Sequence, residues 1–158
     1  MRQFIGLIVF IFLVVVAGCT PSTKISSDQV KAFVKEVNNT NSFVKHVDVK
    51  FRPTQIEIIY TLNENIDEVD RLELFTNARE LVNSKDFEQE VIQGQFLKKY
   101  DAGGYPNITI LFDMNDDGEY DVQYTSIYQE DELNTANESL YSMWYYHPDM
   151  GATGELVP

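Results

Sequence analysis

The spacing of apolar and polar positions divides the chain into helical and extended segments. In "SSDQVKAFVKEVNN", Val30, Phe33, Val34 and Val37 recur at i, i+3, i+4 and i+7, which predicts a helix with one apolar face. Ser26 followed three residues later by Gln29 fits a capping box at its start, and Asn38 and Asn39 close it. The period then changes to two. Val47, Val49 and Phe51 alternate with His46, Asp48 and Lys50, the pattern of a half-buried strand. "IEIIYTL" places Ile56, Ile58, Tyr60 and Leu62 on one face, and "RPTQ" supplies the turn between the two strands. An antiparallel hairpin is expected here.

A second helix is expected after "NEN". Ile66, Val69, Leu72, Phe75 and Ala78 repeat every three residues, and Leu81 and Val82 close the stripe. Asp67, Glu68 and Asp70 stand in its first turns, where the helix dipole favours anions. Ser84 caps a short helix through Val91 and Ile92, stopped by Gly94, with an edge strand over "QEVIQGQFL" as the alternative. "DAGGYP" is a loop. A second hairpin follows, with Ile108, Ile110 and Phe112 facing the core on one strand and Tyr120, Val122 and Tyr124 alternating on the other. Leu133, Ala136, Leu140 and Met143 or Trp144 have helical spacing, ended by Pro148, and Trp144 is expected in the core. The stretch 149–158 is expected to be a loose tail.

The order is α-β-β-α-(α)-β-β-α, a single α+β domain over residues 26–148. Its expected form is an antiparallel sheet of two hairpins with helices packed on one face.

Composition adds a charge asymmetry. The net charge is −13, which excludes a nucleic-acid binder, because such proteins need Lys and Arg to displace counterions from phosphates. Lys99 is the last basic residue, and twelve carboxylates follow it. That field keeps the C-terminal part soluble, or presents it to a cation or to a partner with a basic surface.

Residues 1–18 read as a targeting segment rather than as fold. An apolar run from Phe4 to Ala17 follows Arg2 and ends in "VAGC". The run is shorter than the roughly 20 residues of a membrane span and suits a signal-peptide core. Val16, Ala17, Gly18 and Cys19 resemble the lipobox of bacterial lipoprotein precursors. The resemblance implies lipid transfer to the Cys19 thiol, cleavage before it, and acylation of the new amino group by a chain such as palmitate. It places the mature protein in the cell envelope, held to the extracytoplasmic side of a bacterial membrane, with residues 19–25 as lipidated cysteine and short tether. Thr20 leaves a Gram-positive membrane and an outer membrane equally open. Cys19 is the only cysteine, so no disulfide within the chain competes for it.

One stretch carries candidate chemistry. In "FDMNDDGEYD", Asp113, Asn115, Asp117 and Asp121 supply side-chain oxygens at alternate positions, and Glu119 offers its backbone carbonyl. Calcium takes six to eight oxygen ligands, and compact loops supply them in this way. The pattern resembles the DxDxDG calcium loops of EF-hands and of several extracellular proteins. It departs from the EF-hand at Tyr124, where a bidentate Glu would stand, and in its flanks, which read as strands. The competing reading is an acidic turn built on Asp116, Asp117 and Gly118, residues that tolerate positive φ.

No catalytic constellation is legible. His46 lies on the polar face of a strand, and His147 is expected at a helix end. These features predict a lipid-anchored binding or accessory module, stabilised by calcium in the loop reading. The rival is a calcium-dependent envelope hydrolase acting on cell-wall or sugar polymers.

Overall fold

The computed structural model describes residues 22–100, 104–128 and 140–157. It is an α+β fold around one seven-stranded sheet whose strands lie in sequence order. The strands are β1 (Thr23–Lys24), β2 (Val44–Arg52), β3 (Gln55–Leu62), β4 (Asn107–Asp113), β5 (Val122–Ser126), β6 (Trp144–His147) and β7 (Glu155–Val157). Helix α1 (Asp28–Thr40) joins β1 to β2, and α2 (Glu68–Val82) and α3 (Phe87–Phe96) lie between β3 and β4.

Both expected hairpins form, but Tyr120 stands outside the second one's return strand, which begins at Val122, and outside the core. Val49 faces Ile58 across β2 and β3, and Ile110 faces Tyr124 across β4 and β5. The sheet is not wholly antiparallel, however. β3 and β4 run parallel, with Ile58 beside Ile110 and Thr61 beside Asp113. The helices between them return the chain to the same end of the sheet, as a parallel neighbour requires.

Alternation decides what each face meets. Val47, Val49, Phe51, Ile56, Ile58, Tyr60, Leu62, Ile108, Ile110 and Phe112 share one core with Val30, Phe33 and Val37 of α1 and with residues of α2 and α3. The helices therefore cover one face, as the sequence pattern predicts. Ile59 and Leu111 point to the other face and are buried outside that core. All described core residues fall between Ile25 and Val157, so a chain beginning at Thr20 contains every one of them.

Four local expectations are corrected. The cap of α1 is Ser27, whose Oγ accepts from the Val30 N–H; Gln29 instead donates to Ser84 Oγ at 2.6 Å and ties α1 to α3. In α2 the three-residue stripe holds at Phe75, Ala78, Leu81 and Val82 but fails at Val69 and Leu72, because a helix of 3.6 residues per turn rotates such a repeat off the core. Val69 is 72% exposed and Leu72 38%, while Leu74, Phe75, Ala78, Leu81 and Val82 are buried. Gly94 does not stop α3. This helix is π-wound, and Ser84, three residues ahead of it, accepts from the Phe87 N–H through its Oγ at 3.2 Å. It runs through Gly94 and continues into a single α turn, Leu97–Lys99. A Cβ on Gly94 would stand 3.0 Å from the Gln89 carbonyl oxygen, so glycine lets the wide turn close.

The fourth correction concerns the C-terminal part. Trp144 to His147 form a strand, not a helix, and Tyr145 pairs with Thr125 on one side and Leu156 on the other. Helical spacing at Leu133 and Ala136 lies outside the described residues. The stretch expected to be loose contributes β7, which extends the sheet to Val157. Trp144 is fully buried as expected; its Nε1 donates to the Tyr141 carbonyl at 2.9 Å, and its ring meets Phe75 edge-on.

Candidate functional site

The acidic loop joins β4 to β5 at the end of the second hairpin. Asp113 is the last residue of β4, one position past the core residue Phe112, so it points to the face opposite the helices. The hairpin closes where the Asp121 N–H donates to the Phe112 carbonyl at 2.9 Å. Between these points Asp116 and Gly118 take φ of 59° and 86°. That left-handed backbone is what Asp and Gly accept at low cost.

The side chains at alternate positions fold inward onto the loop's own backbone. Asp113 Oδ2 accepts from the Gly118 N–H at 3.1 Å. Asn115 Oδ1 accepts from Asp117 N–H at 3.1 Å, and Asp117 Oδ1 from Glu119 N–H at 2.8 Å. Asp121 Oδ2 accepts from Met114 N–H at 2.7 Å. Asp116, the carboxylate outside this alternation, reaches Lys45 of β2. No sequence signal connects Lys45 to a loop 71 positions away. Glu119 is exposed, and its backbone carbonyl is the group the loop reading uses.

One atom stands apart. Asp113 is 4% exposed, and its Oδ1 is buried without a hydrogen-bond partner. A buried acceptor left unpaired costs about 1–3 kcal/mol. Among the described residues no three His, Cys, Asp or Glu side chains gather in a group able to hold a metal. The four side chains that the sequence brings forward are thus neighbours in one loop, each turned towards a backbone donor. The second carboxylate oxygens of Asp113, Asp117 and Asp121 take no part in those bonds.

The histidines are structural. His46 is exposed and sits 3.2 Å from Asp48. His147 lies in β6, not at a helix end. Its Nδ1 is 3.1 Å from the Ala152 carbonyl and its Nε2 3.0 Å from Thr125 Oγ1. A carbonyl can only accept, so Nδ1 donates to Ala152, and the Thr125 hydroxyl completes the pair at Nε2. This pair pins the β6–β7 turn to β5. Cys19 and the lipobox residues lie outside the described residues.

Among the described residues no helix is long and apolar enough to cross a membrane. No family model, no curated protein and no solved structure matches this chain.

Proposed function

We propose that this chain is a lipid-anchored extracytoplasmic binding or accessory module of the bacterial envelope, with a calcium ion held in its β4–β5 loop. The observation that carries the anchor is the sequence "VAGC" ending at Cys19, four positions before the first strand at Thr23. So short a tether would keep the domain close to the bilayer. More than one acyl chain on Cys19 would hold it stably, where a single chain gives marginal binding.

The calcium part is supported by the unpaired Oδ1 of Asp113, a buried acceptor with nothing to accept. Asp113, Asn115, Asp117 and Asp121 would supply side-chain oxygens and Glu119 its carbonyl, once the carboxylates turn from the backbone N–H groups they now accept from and draw together. When bound, the ion would neutralise carboxylates that otherwise repel one another. The exposed remainder of this acidic part suits an envelope partner with a basic surface. A hydrolase of sugar polymers would need two carboxylates facing each other across a cleft. Among the described residues the cleft beside Tyr120 is lined by one, Glu57.

Metabolic labelling with palmitate tests the anchor. The full chain expressed in a bacterium takes up label, and Cys19→Ala takes up none and keeps residues 1–18 uncleaved. An unlabelled wild-type chain, or a Cys19→Ala chain labelled equally well, would overturn the anchor.

A further inference from the structure

The first edge of the sheet gathers lysines in a chain whose net charge is −13. β1 pairs with the end of β2, where Lys24 stands opposite Lys50 and Thr23 opposite Phe51. Lys24, Lys31 and Lys35 line one groove along this edge, between β1, α1 and the stretch of β2 that β1 leaves uncovered. Lys99, from the turn that ends α3, donates to Thr23 Oγ1. All four lysines are exposed. Two carboxylates share the edge: Asp48 pairs with Lys24 at 2.8 Å and Asp28 with Lys31 at 3.1 Å. Both pairs are solvated, where such contacts contribute little and a competing anion displaces them at small cost. Lys35 and Lys99 have no carboxylate partner among the described residues.

Position gives this cluster its meaning. Thr23 follows Cys19 by four positions, a length of chain that spans at most about 14 Å. An anchor at Cys19 therefore keeps the β1 edge beside the headgroups. The acidic surface lies elsewhere. β1 is level with Phe51, Ile56 and Ile108, whereas the acidic loop begins at Asp113, at the other end of β4. β7, with Glu155, is the opposite edge of the sheet. Adjacent strands lie about 4.8 Å apart, so the two edges of the seven-stranded sheet are separated by about 29 Å, more than three Debye lengths at physiological salt. Carboxylates on the far edge are screened from a surface that touches the near one.

We infer that the β1 edge docks on anionic lipid headgroups, with Lys24, Lys31, Lys35 and Lys99 pairing with their phosphates and the acidic β7 edge turned outward. The inference deepens the anchor reading and rests on it: the lipid supplies attachment, and the lysines supply orientation. Attraction of a basic cluster to an anionic surface falls off within a Debye length, so a face held against the bilayer by a short tether gains from it and the others do not.

Amine acetylation of the 20–158 chain, read lysine by lysine, tests the docking without the natural anchor. The chain keeps every described core residue and is held by an N-terminal hexahistidine tag on phosphatidylcholine vesicles that contain a nickel-chelating lipid. When about one third of the lipid is phosphatidylglycerol, Lys24, Lys31, Lys35 and Lys99 react at least about threefold more slowly than on vesicles without it, and high salt removes the difference. Leu156→Lys places a reporter amine at an exposed position of β7, and that amine reacts at the same rate on both vesicles. Lys31→Glu combined with Lys35→Glu, both at exposed helix positions, returns Lys24 and Lys99 to their rates on neutral vesicles. Equal rates on the two vesicles, slowing that extends to the β7 reporter, or full protection in the double variant would overturn the docking. Palmitate labelling tests the natural anchor independently, so failure of the docking and failure of the anchor are read from different experiments.

Discussion

Asp113 Oδ2 accepts the backbone N–H of Gly118 at 3.1 Å, which locks the β4–β5 turn onto a carboxylate whose other oxygen is buried and unpaired. The same residue therefore does two things. It satisfies the turn's backbone with one oxygen and keeps the other buried without a hydrogen-bond partner. Asp113→Ala removes both. In chelator its chemical-denaturation midpoint falls by the equivalent of about 1–3 kcal/mol from the lost bond to Gly118, offset in part by removal of the unpaired oxygen. Asp116→Asn, which keeps a residue suited to the left-handed φ of 59° and loses only the charge of an exposed pair with Lys45, changes stability by under about 1 kcal/mol.

The α2 stripe gives a direct packing test. Leu74 is fully buried, whereas Val69 is on the solvent side. Leu74→Ala costs about 2–5 kcal/mol by loss of transfer energy and the cavity it leaves. Val69→Ala stays within about 0.5 kcal/mol. Urea unfolding of the two variants separates them, and equal losses would contradict the helix orientation.

Tyr60 predicts an alkaline limit. Its hydroxyl donates to the Leu74 carbonyl at 3.0 Å and its ring stacks on Phe112 at 5.0 Å. Burial holds the phenol far above its ordinary pKa, and burial raises Tyr141 as well. Folding thus favours the protonated phenols. Their contribution is complete below about pH 10, the unfolded value, and is lost as pH rises beyond it. Tyr60→Phe weakens the protein by about 1 kcal/mol at neutral pH. It also makes the decline above pH 10 shallower, measured by denaturation across pH 8–11.

Gly154 tests the β6–β7 turn. A Cβ there would fall 2.7 Å from His147 Cε1 and 3.0 Å from Tyr145 Cβ. Gly154→Ala pushes the imidazole off Thr125 and loosens β7. A cost of about 1–3 kcal/mol is expected from overpacking. Amide exchange should speed up at Glu155 and Leu156 and stay unchanged in β2 and β3.

The sequence made the hairpins legible because strict alternation at Val47, Val49 and Phe51, and at Ile108, Ile110 and Phe112, has one structural meaning. It did not reveal that β3 and β4 lie side by side, since parallel pairing joins residues some fifty positions apart, such as Ile58 and Ile110. The α2 stripe misled because a three-residue repeat resembles helical spacing over two turns and departs from it over four. β6 was hidden by apolar residues at helical intervals from Leu133 to Met143, although "WYYH" is rich in strand-favouring aromatics. β7, at three residues, is too short to show a period. The loop residues 113–121 were legible from alternate oxygens alone. The unpaired atom of Asp113 was not, because burial and partner geometry belong to the fold.

The most direct measurement is thermal unfolding of the 20–158 chain in chelator and in about 1 mM calcium, repeated with Asp117→Ala. With a Kd near 10 μM, mass action adds about 2.7 kcal/mol at that concentration. For a domain of this size the unfolding temperature rises by roughly 5–10 °C, and the rise vanishes in Asp117→Ala. An unchanged temperature in calcium, or an equal rise in Asp117→Ala, would contradict a calcium ion in the β4–β5 loop.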